Sequence, residues 1–308
     1  MKRGFYNILA AQFLSSLADN ALLIAAIALL ASIGAPDWMT PLLKLFFVVS
    51  YVVLAAWVGI FADLLPKGHV MFITNAIKVG GCLLMLFGSH PLLAYAVVGI
   101  GAAAYSPAKY GILTELLPPE KLVVANGWIE GLTVVSIILG VVLGGVLIKP
   151  EVAFAILQFF HLPAVGLTSY PEAALFMVGI VYALAAAVNL TIPDTGVRYE
   201  RPNFEPIASV KNFIQSCSLL WHDKLGQISL SVTTLFWGAG AVLQFLVLKW
   251  AEHALGMHLS DGAILQAVVS IGIALGAVGA AAFVPLKKSL TVLPMGVAMG
   301  VVVACASF

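Results

Sequence analysis

An apolar run over residues 5–33 constrains this chain more than any other stretch. It exceeds the roughly 20 residues that carry a helix across a bilayer. Hydrocarbon offers the backbone no water, so a segment of this kind must satisfy its own amides, and a helix does that. Within the run Gln12, Ser15, Ser16 and Asp19 recur at three- and four-residue spacing. On a helix they share one face, and the rest of the circumference is lipid-like. Asp19 then falls near mid-depth, where a carboxylate costs roughly 2.5–3.5 kcal/mol on insertion scales. Two readings follow: Asp19 faces a polar interior or a partner and serves function, or it is protonated and hydrogen-bonded to a neighbouring helix.

Similar runs recur over residues 40–62, 70–87, 92–116, 123–148 and 172–192, then 227–250, 262–284 and onward from 291. Pro36, Pro66, Gly68, Pro91, Pro118 and Pro119 punctuate them, as turn residues between spans should. With 62% hydrophobic and 9% charged residues, against about a quarter charged in soluble domains, the expected fold is all-α, a polytopic membrane helical bundle. Residues 1–192 read as a six-helix bundle. Residues 193–226 carry the densest charge and read as a cytoplasmic linker, in which Ile207, Val210, Ile214, Cys217 and Trp221 keep helical spacing. That spacing suits a helix lying on the membrane surface, and equally an ordinary linker helix. Residues 227–308 read as a partial second bundle, spans seven to nine, cut off inside a helix. An N-terminus on the inside places every Lys and Arg on the cytoplasmic side except Lys149 and Lys249 outside and Lys44 and Lys78 within spans, the asymmetry that sets orientation.

Several function classes fall away. Cys82, Cys217 and Cys305 lie in or beside apolar segments with no metal-ligand or CxxC spacing, so no disulfide frame, metal or cofactor is expected. A net charge of +1 implies no nucleic-acid partner. There is no HExxH, GxSxG or P-loop, and an enzyme is not expected.

The turn Gly59-Ile60-Phe61-Ala62-Asp63-Leu64-Leu65-Pro66-Lys67-Gly68-His69 resembles the signature G-x-x-x-D-[RK]-x-G-[RK] of the major facilitator superfamily, with one extra residue and Leu64 where a basic residue is usual. Gly59 is expected to allow close packing there, and Asp63 and Lys67 to form a charge relay that latches the two halves at the inner surface. More specific is Gly99-x-Gly101-Ala102-Ala103-Ala104-Tyr105-Ser106-Pro107-Ala108-Lys109-Tyr110-Gly111, followed by Ala125-Asn126-Gly127-x-x-Glu130. With Ala18-Asp19-Asn20-Ala21-Leu22 and Leu235-Phe236-Trp237-Gly238-Ala239-Gly240, it is similar to the bacterial lysophospholipid transporter (LplT) branch of that superfamily. The resemblance implies a flippase of the inner membrane that moves lysophosphatidylethanolamine and related lysolipids to the cytoplasmic leaflet, where an acyltransferase/acyl-carrier-protein synthetase partner restores the second acyl chain. It also implies twelve spans in a complete member, and hence a fragment here. Site positions follow from it too: Asp19 and Asn20 match the family's Asp-Asn pair and Lys109 its lysine. The chain departs at Gln244, where an arginine is expected in the seventh span.

From the residues alone, the ionisable groups in or near spans are Asp19, Lys44, Lys78, Lys109, Glu130 and Lys249. Lys44 and Lys249 are near span ends and are expected to snorkel. Lys78 and Glu130 either pair with each other or line a cavity. Against a zwitterionic headgroup, Asp19 with Glu130 would attract the ammonium, and Lys109 or Lys78 the phosphate. Two alternatives stay open. One is a proton-coupled drug or metabolite antiporter in which Asp19 titrates and Gly140-x-x-x-Gly144-Gly145 serves as a glycine motif; the other is a nonfunctional membrane fragment.

Overall fold

The computed structural model describes residues 3–199, 205–283 and 293–305, and every element among them is helical. The order is α1 (Arg3–Ser32), α2 (Met39–Leu54), α3 (Val58–Leu64), α4 (Lys67–Leu86), α5 (Pro91–Leu116), α6 (Pro119–Leu147), α7 (Pro150–Phe159), a 3-10 turn (Leu162–Val165), α8 (Tyr170–Leu190), α9 (Pro206–His222), α10 (Lys224–Leu255), α11 (Leu259–Phe283) and α12 (Leu293–Cys305). Six of them are long and apolar enough to cross a membrane, and α2 with α3 makes a seventh span broken by a 71° bend. The sequence analysis takes residues 40–62 as one continuous span. Here the helix breaks at residues 55–57, where Trp57 adopts φ −118°, with no proline at the break. The 149–171 connection also departs from expectation, since it contains α7. Pro150 starts that helix at a position where its missing N–H costs nothing.

The chain divides into two compact units, Met1–Ala267 and Val268–Phe308. In the first, α1 packs against α6 and α8, α4 against α5 and α8, and α2 against α5. Lipid tails are as apolar as leucine, so dispersion between closely fitted surfaces has to hold such helices together. Small residues permit it. A Cβ on Gly140 would lie 2.4 Å from the Leu17 carbonyl oxygen, and one on Gly144 2.8 Å from that of Ala21, so these two glycines seat α6 directly on the backbone of α1. Gly101 does the same for α5 on α4, with the Thr74 carbonyl 2.6 Å from such a Cβ. Gly59 behaves differently from its expectation: a Cβ there meets nothing within 4 Å. It sits on the exposed side of the short α3, and no close helix contact depends on it in this conformation. The predicted linker helix exists as α9, with no buried residue. In the second unit, the described apolar side chains Val268, Ile271, Leu275, Met295, Val297 and Val301 are exposed, as lipid-facing residues are. Lys287 and Lys288, assigned above to the cytoplasmic side, lie outside the described residues, as does Arg201.

Candidate functional site

The polar stripe of α1 faces inward. Ser15 is 1% exposed and Gln12 5%, and the Asp19 side chain is 24% exposed. Opposite it, α4 turns Thr74, Asn75 and Lys78 into the interior; Asn75 and Lys78, three residues apart, share a face. The Lys78 ammonium donates to both oxygens of the Asp19 carboxylate, at 2.8 and 3.0 Å, and to the Ser15 hydroxyl at 2.9 Å. Ser15 in turn donates to the Asn75 Oδ1 at 2.8 Å. From α8 the Tyr182 hydroxyl donates to Asp19 Oδ1 at 2.7 Å. The ammonium also lies 5.3 Å from the Tyr105 ring centre and 5.4 Å from that of Tyr182. Three helices thus meet on one carboxylate, and α5 brings the Tyr105 ring to its counter-ion. An ion pair this deep is tolerated because further hydrogen bonds satisfy the remaining lone pairs and protons. Two neighbours are not satisfied: the Asn75 Nδ2 and the Tyr105 hydroxyl are buried without a partner among the described residues, each at a cost of about 1–3 kcal/mol.

Lys78 therefore pairs with Asp19, not with Glu130 as one reading of the sequence had it. Glu130 is exposed and accepts a hydrogen bond from the Tyr110 hydroxyl at 2.6 Å. Lys109 is buried, with its ammonium 4.2 Å from the Tyr110 ring centre. Among the described residues it has no hydrogen bond and no carboxylate within 4.0 Å. Lys109, Tyr110 and Glu130 so form a second polar group on α5 and α6. Asn20 turns back on its own helix, donating to the Ser16 carbonyl at 2.8 Å. Gln244 is half-buried on α10 and shares no hydrogen bond with either group. Lys249 does not reach them either, because it pairs with Asp37 at 3.1 Å and Glu252 at 3.2 Å. Lys44 is half-buried and, with Lys249, lines a cavity of about 1080 Å3 between the far ends of α1, α2 and α10.

At the opposite end, Lys67 pairs with Asp63 and donates to the Ala62 carbonyl at 2.9 Å. Its third neighbour is Glu115, 3.9 Å away, with a side chain 5% exposed. The segment following α8 reaches the same carboxylate: Thr195 donates to Glu115 Oε2 at 2.6 Å and Tyr199 to Oε1 at 3.0 Å. The Tyr199 ring stacks 4.7 Å from the Lys67 ammonium. Partial burial, reinforced by the Glu115 carboxylate, pushes the Tyr199 phenol up from its ordinary value. Among the described residues the expected latch thus closes within the first unit and onto the linker, with no partner from α10 or beyond. Glu115, Tyr182, Asn75 and Tyr105 are the residues that sequence reasoning missed. Glu115 had a legible signal, a carboxylate one turn from a span end and next to Pro118-Pro119. The two tyrosines had none, since a tyrosine in an apolar run reads as core.

The profile of the Major Facilitator Superfamily matches residues 8–308. The Lysophospholipid transporter LplT of Yersinia enterocolitica serotype O:8 is 44% identical over 307 residues, covering 99% of this chain and 71% of that relative. The protein of the same name from Yersinia pestis (strain Pestoides F) is 44% identical over 306 residues, covering 98% and 70%. The chain belongs to the LplT family of the major facilitator superfamily. Among solved structures this LplT-family chain resembles a bacterial homolog of the human lysosomal transporter Spinster, inward-facing and occupied, with a TM-score of 0.65 at 18% identity. That alignment covers 92% of this chain and 62% of the solved one. The inward-facing unoccupied form gives a TM-score of 0.64, with 92% and 64% covered. At such identity the likeness speaks for the shared fold alone.

Proposed function

We propose that this LplT-family chain carries lysophosphatidylethanolamine and related lysophospholipids across the bacterial inner membrane to the cytoplasmic leaflet, with its N-terminus and linker inside. The single observation that supports the reading is the polar interior of an otherwise lipid-like bundle: an approachable Asp19 on α1 and, apart from it, a lysine, Lys109, with no partner of its own. A zwitterionic headgroup offers one charge to each. Asp19 takes the ammonium and Lys109 the phosphate, while Lys78 serves Asp19 as counter-ion. Glu130 orients Tyr110, on whose ring Lys109 rests, and Asn20, beside Asp19 on α1, borders the headgroup; Gln244 of α10 is the residue proposed to meet it from the seventh span. The acyl chain stays in lipid along the helix surfaces. The Asp63–Lys67–Glu115 cluster holds the inner end in one conformation. The delivered lysolipid becomes the substrate of an acyltransferase/acyl-carrier-protein synthetase, a functional partner in the same leaflet.

The experiment is uptake of labelled lysophosphatidylethanolamine into spheroplasts lacking their own transporter. The 308 residues span 71% of the Yersinia enterocolitica relative, so uptake is measured for this chain and for one extended to that length, each with and without an uncoupler. Uptake insensitive to the uncoupler, and abolished by Asp19→Asn at unchanged expression, is the expected result. Near-normal uptake by that variant overturns the site, and collapse of uptake with the uncoupler favours the proton-coupled antiporter. The glycine motif gives that rival no added support, because the packing of α6 on α1 accounts for Gly140 and Gly144.

A further inference from the structure

The 71° break after α2 leaves Trp57 half-buried, its indole N–H on the Pro206 carbonyl at 3.4 Å. The first turn of α9 is thereby tied to a broken span. The other end of α9 is tied as tightly. A Cβ on Gly226, in the first turn of α10, would lie 2.4 Å from the Leu220 carbonyl oxygen, so the last turn of α9 sits on the start of α10, and α10 is long and apolar enough to cross a membrane. A helix of 17 residues, about 25 Å long, is pinned at both ends to spans and cannot swing away from the membrane face. Yet it buries nothing: Ile207 is 85% exposed, Leu219 77%, and Ile214 and Trp221 are exposed as well. Exposed apolar side chains gathered on one helix mark an interaction surface, and a bilayer meets a helix lying along it over its whole length.

Charge selects the lipid. Between Pro206 and His222 there is no carboxylate, and Lys211 forms no ion pair among the described residues. Lys211 and Gln215 border a groove of about 540 Å3 whose other walls are Trp57, Pro206, Ile207, Val210 and Ile214. One cation beside an apolar groove suits an acyl chain that carries a phosphate. A zwitterionic headgroup would bring an ammonium to the same lysine with no carboxylate on α9 to receive it, whereas an anionic headgroup is matched. Trp57 and Trp221 add the amphipathic rings that settle at headgroup level. We propose that α9 and the α2–α3 break form a docking surface for anionic diacyl phospholipid, with one acyl chain in the groove between Trp57 and α9 and the phosphate on Lys211. In the orientation proposed above, that lipid belongs to the cytoplasmic leaflet. The surface lies apart from the polar centre on α1, α4, α5 and α8, and it holds whether or not that centre carries lysolipids.

The test is amide hydrogen exchange of the purified protein in nanodiscs of dioleoyl phosphatidylcholine alone, and in nanodiscs with part of that lipid replaced by dioleoyl phosphatidylglycerol. Peptides from α9 are expected to exchange about fivefold more slowly with the anionic lipid, the scale of one basic side chain at such a surface, with peptides from α7 unchanged. Lysophosphatidylethanolamine added to the phosphatidylcholine nanodiscs should leave α9 as it is. Lys211→Gln is expected to remove the difference, Trp57→Ala to weaken it, and Lys224→Gln, outside the groove in the first turn of α10, to keep it; exchange of α4 and α5 reports that each variant is folded. Equal loss in both lysine variants means attraction to a charged surface without a groove site, and overturns the proposal. So does an α9 that exchanges at one rate in both bilayers, as it would if a second copy or another protein covered it.

Discussion

Lys109 and Lys78 are both lysines in the interior of one bundle, yet their surroundings give them opposite prospects. Lys78 already has a carboxylate. Lys109 has an aromatic ring beside it and, among the described residues, no carboxylate within 4.0 Å, so its charge remains for a ligand. Lys109→Gln should therefore abolish uptake of phosphate-bearing lysolipids, and Lys109→Arg should keep a measurable part of it, since a guanidinium also binds phosphate oxygens. Tyr182→Phe removes one hydrogen bond to a charged acceptor, a loss of about 1.5–3 kcal/mol that thermal unfolding in detergent should register. In the linker, Arg198 donates to both Asp194 oxygens, at 3.0 and 2.6 Å, and holds that carboxyl well below the usual carboxylate range. A depressed carboxyl contributes its stabilisation above the unfolded value and loses it as pH falls through the folded one. The Asp194–Arg198 pair should thus survive acidification through the ordinary carboxylate range, which a carboxyl NMR titration would follow.

Among elements, α1 is the one that α6 and α8 are fitted to, and the fit of α6 depends on backbone contact. Gly140→Ala places a methyl 2.4 Å from the Leu17 carbonyl oxygen, and neither neighbour is a side chain tip that can swing away. Parting α1 and α6 should cost about 1–3 kcal/mol, the usual cost of overpacking. Gly131→Ala on the same helix meets nothing within 4 Å and should be neutral or slightly stabilising, because alanine is the better helix former. Melting temperatures of the two variants, side by side, check the contrast. The strand of chain after α8 is held by fewer contacts. Thr195→Val together with Tyr199→Phe removes both of its hydrogen bonds to Glu115, and limited proteolysis should then cut near residue 199 faster than in the wild-type protein.

At the scale of the whole molecule the charge asymmetry makes a topological prediction. With the N-terminus inside, α9 lies on the cytoplasmic side, and its exposed Cys217 should resist a membrane-impermeant thiol reagent in intact cells and react once they are permeabilised. Labelling in intact cells would reverse the orientation. Two apolar-lined regions of the first unit lie apart from the central charges, the cavity of about 1080 Å3 at the far ends of α1, α2 and α10 and a smaller one of about 540 Å3 between Trp57 and α9. The polar centre lies on α1, α4, α5 and α8, while Asp37, Lys44, Lys249 and Glu252 line the larger of the two cavities and Lys211 the smaller.

The placement of the long apolar helices in the first 190 residues, the inward polar stripe of α1 and the family were legible in the sequence, because apolar length and three-to-four spacing are local properties that a helix in lipid has little freedom to override; of the nine spans expected, the described residues give six long apolar helices, or seven with the broken pair. The 71° break after α2 was not legible, for no proline or paired glycine marks it. Nor were the partners of the interior charges. Asp19 and Lys78 are 59 residues apart in the chain and Tyr182 a further hundred or so, and spacing says nothing about which helix lies beside which. Only packing decided that Lys78 faces Asp19 and leaves Glu130 to Tyr110. Only packing brought Glu115 under the linker. The sequence by itself determined that charge would be buried; which charges meet was decided by helix adjacency, a long-range property that each glycine contact fixes to within an ångström or so.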